Sequence, residues 1–199
     1  MYNSQSGRSM IEMLGVLSII GVLSIGGLAG YSKMMTQYKI NTSMQQINLI
    51  AAKLSAVGEQ TSSYGGLDNA SAIKFGAVPS ELIDSGSTLR NPFGGAVTIS
   101  GSFLLSDKSD TQAYIIKYSG LPEEACLTLA STGWNNAKSS SLLGIGVGAS
   151  AENDIYQGCP GTASVACPEG SVTPLPMDIS KARSACNCTT NCTIVVKFF

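Results

Sequence analysis

A run of 20 uncharged residues, Met13 to Ser32, lies near the start of the 199-residue chain. Leu, Ile, Val, Met and Gly dominate it. At about 1.5 Å of helical rise per residue it reaches roughly 30 Å, the hydrocarbon thickness of a bilayer. The run is too long for the apolar core of a secretory signal, and the "MYNSQSG" before it carries no Lys or Arg. A plain signal anchor accounts for the length but gives no role to Glu12, at the mouth of the run. A carboxylate in hydrocarbon costs on the order of 2.5–3.5 kcal/mol, so an acid there needs a partner. Arg8, one helical turn back, is the local candidate. A cation on another chain is the other.

Helical character continues past Ser32, with no Pro and no Gly from Lys33 until Gly58. Met44, Ile47, Ala51, Leu54 and Val57 recur at helical spacing and mark one apolar face. The pattern predicts a single helix over residues 8–57, transmembrane over 13–32, with its second half laid on a globular head of residues 58–199. Gly26, Gly27 and Gly30 each weaken the helix by about 1 kcal/mol relative to Ala. They suit close helix–helix packing in a membrane, or a deliberately soft segment.

Composition narrows the function. There is no histidine, the formal net charge is −1, and only 13% of residues are charged. Lacking His, the chain lacks the commonest general base and metal ligand, so most catalytic triads and catalytic zinc sites are excluded. No basic stripe suggests nucleic acid. No enzyme activity and no cofactor are expected. The polar bulk of Ser, Thr, Asn, Gln and Gly suits an exported, loop-rich head.

All six cysteines, Cys126, Cys159, Cys167, Cys186, Cys188 and Cys192, fall after residue 125. In an exported domain an even cluster reads as disulfides. A structural metal site is the rival, but Cys186-x-Cys188-x3-Cys192 departs from the paired C-x2-4-C spacing of zinc sites. Short local loops suggest Cys159–Cys167 and Cys188–Cys192.

Along the head, residues 58–72 read as a Ser/Gly/Asn-rich connection, and residues 78–83 as a short turn or helix. "NPFGG" (91–95) is a turn signal. Residues 96–105 and 111–118 read as a hairpin with a polar tip at 106–110. Pro122 followed by Glu123 and Glu124 marks a helix start. Residues 141–149 read as a strand, 158–177 as Pro/Gly-rich loop, 178–186 as a short helix and 192–199 as a closing strand. Trp134 reads as a core anchor. Asp107, Asp110, Glu152 and Asp154 read as solvated acids rather than calcium ligands.

The segment Gly7-Arg8-Ser9-Met10-Ile11-Glu12-Met13-Leu14 resembles the processing site of type IV prepilins. In that family a glycine precedes the cut and a glutamate is the fifth mature residue. The resemblance implies a short leader, residues 1–7, removed by a prepilin peptidase, and N-methylation of the new amine at Arg8. It also implies pairing of that amine with Glu12 of a neighbouring subunit. "NPFGG" before the first strand, a "GLP…C" helix after the hairpin and an "A…AC" helix before the last strand resemble the PilS-like, type IVb branch. The fold this implies is α+β: a long N-terminal helix packed on an antiparallel sheet. A Cys126–Cys186 disulfide is implied with it. The implied partners are other copies of the chain, the peptidase, a pilus assembly platform with its ATPase, and the bacterial inner membrane. The head would be periplasmic before assembly and extracellular on the fibre afterwards. A pseudopilin of a type II secretion system shares the N-terminal device. A signal-anchored surface or periplasmic binding domain would share only the anchor.

Overall fold

The computed structural model describes residues 10–61, 63–102, 111–132, 134, 142–148, 158–159, 173–174, 177–188 and 191–199. The chain divides into two compact units, with the boundary between Tyr38 and Lys39. Helix α1, Met10–Thr61, contributes to both. It runs beyond the expected end at residue 57 because Gly58 remains helical. The Tyr64 ring occupies the space a Cβ at Gly58 would need.

In the second unit, α1 presents Ile40, Ser43, Ile47, Ile50 and Leu54 to the core, all fully buried, together with Gln46 and Ala51. The stripe expected from the sequence is thus rotated slightly. Met44 is only partly buried against the core, whereas Ile40 and Ile50 lie at its centre. Ser43 is tolerated there because its hydroxyl bonds back to the Lys39 carbonyl at 2.9 Å. Tyrosines of the sheet satisfy helix groups across the core. Tyr114 Oη donates to the Ala51 carbonyl at 2.9 Å, and the Tyr118 hydroxyl faces Gln46 Oε1 at 3.5 Å. Burial pushes the Tyr118 phenol far above its ordinary pKa, so it stays a neutral donor.

The sheet runs β1-β2-β3-β4-β8-β5-β6-β7. Its strands are β1 Ile83–Ser85, β2 Thr88–Arg90, β3 Ala96–Ser102, β4 Ala113–Leu121, β5 Leu142–Gly148, β6 Gly158–Cys159, β7 Thr173–Pro174 and β8 Cys192–Phe198. Pairing is antiparallel throughout except between β6 and β7. The C-terminal strand lies in the middle, between β4 and β5. All seven of its residues are buried, so the middle of the sheet is covered on both faces there. Tyr114, Ile116, Tyr118, Ile194, Val196 and Phe198 join the α1 core, while Ile115 and Val195 form a separate buried pair.

Three features were not expected. The connection after α1 holds a helix, α2 (Asn69–Lys74), started by a capping box between Asp68 and Ser71. Ser71's backbone N–H and hydroxyl hold the Asp68 carboxyl below the ordinary range. A hairpin, β1–β2, precedes the "NPFGG" turn, which therefore joins the second and third strands rather than leading into the first. Two-residue strands β6 and β7 fall within the expected loop 158–177. All three are too short for hydrophobic periodicity to register. The expected hairpin tip, with Asp107 and Asp110, lies outside the described residues, as do Glu152 and Asp154.

The "NPFGG" turn is held by one side chain. Asn91 Oδ1 accepts from the Phe93 and Gly95 backbone N–H groups at 2.9 and 3.0 Å, and Nδ2 donates to the Ser119 carbonyl at 2.7 Å. Gly95 must be glycine, since a Cβ would run into the Ser119 carbonyl. Lys39 lies over the Phe93 ring, 5.6 Å from its centroid, and ties the turn to α1. Asn91 is buried, so Asn91→Ala strands three polar groups. The expected loss is about 2–4 kcal/mol of head stability, read from the urea midpoint of the full chain in detergent.

Another asparagine closes a sheet edge. Beyond the end of β2, Asn69 donates to the Val97 carbonyl at 3.1 Å and accepts from the Ile99 N–H at 2.7 Å. Gly101 N–H donates to the Leu67 carbonyl at 3.1 Å. The exposed edge of β3 is thereby blocked against pairing with another chain.

Two helices close the head: α3, Glu123–Ser131, and α4, Ile179–Ala185. Trp134 is buried as expected and donates from Nε1 to the Leu129 carbonyl at 3.0 Å.

Candidate functional site

Every residue of α1 from Met10 to Met34 is exposed. Met10, Ile11, Val22, Leu23, Ile25 and Leu28 lie bare along it. The helix is long and apolar enough to cross a membrane. An apolar surface of this extent is covered in use by lipid or by protein. Glu12 sits in the first turn, exposed, and makes no hydrogen bond or ion pair among the described residues. A carboxylate there is favoured by the helix dipole and is able to accept a cation. Gly7 and Arg8 lie outside the described residues.

The cysteines gather at the other end of the chain. Cys126 in α3 is bonded to Cys186, which caps α4, with Cα atoms 5.9 Å apart. Cys188 is bonded to Cys192, the first residue of β8, with Cα atoms 5.4 Å apart. The sulfurs of Cys126, Cys188 and Cys192 lie within 4.8 Å of one another, so the two bridges abut. Each sulfur is held in a disulfide and offers no thiolate for a metal. Cys159 ends β6 and Cys167 lies outside the described residues, so their expected pairing lies outside as well. Sequence reasoning missed the abutment of the two bridges. The dense Cys186-x-Cys188-x3-Cys192 spacing was its only trace.

A family model described as PilS N terminal matches residues 37–197. The chain belongs to the PilS family of type IV pilins. The pilin's fold is shared with TcpA, a type IV pilin from Vibrio cholerae El Tor biotype. The two are 15% identical with a TM-score of 0.53, covering 81% of this chain and 99% of that one. No match was found among curated proteins. The family match starts at Gln37, so the pilin's apolar helix and Glu12 rest on their own chemistry. The long helix, antiparallel sheet and C-terminal disulfides are those of the α+β pilin fold.

Proposed function

We propose that the pilin is the structural subunit of a type IVb-like fibre, assembled through its N-terminal helix. A prepilin peptidase cuts between Gly7 and Arg8, and the new amine is methylated. Before assembly the helix is stored in the inner membrane, with the head on the periplasmic side. An assembly platform and its ATPase then move subunits into an extracellular fibre. The apolar helix exchanges lipid for neighbouring helices, a transfer that costs little because both surroundings are apolar. Glu12 sets the register by accepting the Arg8 amine of a neighbour. The Arg8 guanidinium adds a second cation beside that amine. The single observation that carries this reading is the bare apolar stretch of α1 with Glu12 in its first turn, in a chain whose head is of the PilS family.

Intact mass tests the first step. Co-expression with a prepilin peptidase is expected to remove residues 1–7, and Gly7→Leu is expected to block that loss. An unprocessed wild-type chain would instead leave a membrane-anchored pilin head that is no substrate of the peptidase.

A further inference from the structure

We propose that the Cys188–Cys192 bridge is the entry point through which an external dithiol reaches the sealed Cys126–Cys186 bridge. The inference comes from burial and proximity, and does not depend on how the fibre assembles. Cys126, Cys186 and Cys192 are all fully buried. Cys188 is partly exposed. A reductant in solution therefore has access to one sulfur of the four. That sulfur's partner, Cys192, lies within 4.8 Å of Cys126.

A thiolate of the dithiol attacks Cys188 Sγ, forming a mixed disulfide, and Cys192 leaves as a thiolate. Cys192 then attacks Cys126 Sγ, forming a Cys126–Cys192 bond and releasing the Cys186 thiolate. The second thiol of the dithiol resolves the mixed disulfide, leaves oxidised, and frees Cys188. Cys186 and Cys188 each take up a proton. Two electrons have entered the protein, and the long loop closed by Cys126 has changed its anchor from α4 to β8. Run in reverse by an oxidising partner of the same class, the steps carry a mispaired Cys126–Cys192 chain to the native pairing. Exchange needs the thiolate, so it accelerates with pH towards the thiol pKa.

Two experiments on the full chain in detergent decide the matter. Cys188→Ser leaves Cys192 as a lone thiol against the intact bridge. After incubation at pH 6 and pH 8, acid quenching, alkylation and peptide mapping, a Cys126–Cys192 bridge with alkylated Cys186 is expected, growing faster at pH 8. Finding only Cys126–Cys186 with alkylated Cys192 at both pH values would overturn the proposal. So would bridges that join Cys159 or Cys167 to Cys126, Cys186 or Cys192. In the second experiment, dithiothreitol acts on the folded wild type and on a Cys188→Ala/Cys192→Ala variant. Cys126–Cys186 is expected to open at least tenfold more slowly in the variant. Equal rates would overturn the relay.

Discussion

Replacing Glu12 by Gln is expected to abolish fibres while leaving processing, membrane insertion and head folding intact. Gln matches Glu in size and keeps the first helical turn, so the change removes little except the charge. An α-amine titrates near pH 8 and is cationic at neutrality. In the core of a helical assembly, a neighbour's Arg8 amine would be buried with the Glu12 carboxylate. Removing one partner of a buried ion pair costs roughly 3–5 kcal/mol, because the other charge stays buried and uncompensated. Applied to docking, that is roughly a 10²- to 10⁴-fold loss at each addition of a subunit. A polymer that needs every addition to succeed does not tolerate such a loss. The measurement is the ratio of sheared surface pilin to total cell pilin, with electron microscopy for fibres and intact mass for processing. Fibres at the wild-type level would make Glu12 an ordinary interfacial carboxylate. A simple anchor should tolerate Gln in the same way. Loss of processing along with fibres would move the role of Glu12 from docking to recognition by the peptidase.

The elements legible in the sequence are those with enough length to show a period. The apolar run and the stripe after it are long, so their period is unambiguous and α1 is legible almost to its last residue. Strands β3, β4, β5 and β8 carry alternating or continuous apolar runs between turn signals, and helices α3 and α4 carry start signals. The order of strands is not written locally. That β8 enters beside β4 depends on which apolar faces meet across more than 70 residues of chain. The β1–β2 hairpin and α2 are short, and side chains distant in sequence hold them in place. Asn69 reaches Val97 and Ile99, and Asn91 reaches Ser119. Such contacts leave no periodic trace. At the site, Glu12 stood out because a carboxylate beside hydrocarbon is costly, whereas the abutting bridges depend on how α3, α4 and β8 converge.

Removing the long bridge with Cys126→Ala/Cys186→Ala is expected to be the most destabilising change confined to the head. The bridge spans a sequence separation of 60 residues, and releasing a loop of that length restores about 4 kcal/mol of entropy to the unfolded chain. For a domain of this size the midpoint should fall by roughly 8–16 °C. The Cys188→Ala/Cys192→Ala change opens a separation of only four residues, for which the same relation gives about 2 kcal/mol. Both pairs sit in one cluster and lose similar side-chain volume, so the contrast isolates loop length from packing. The long bridge also joins α3 to α4 and encloses β5 within its loop, so its loss frees a strand of the central sheet along with two helices. Thermal and urea unfolding of both variants, in detergent and without reductant, reads the difference directly. A deficit for the long bridge near twice that of the short one supports unfolded-state entropy as the cause. Equal deficits would place the stabilisation in the packing of the sulfurs against α3 and β8. Little effect from either would mean that the sheet and α1 hold the head closed without them.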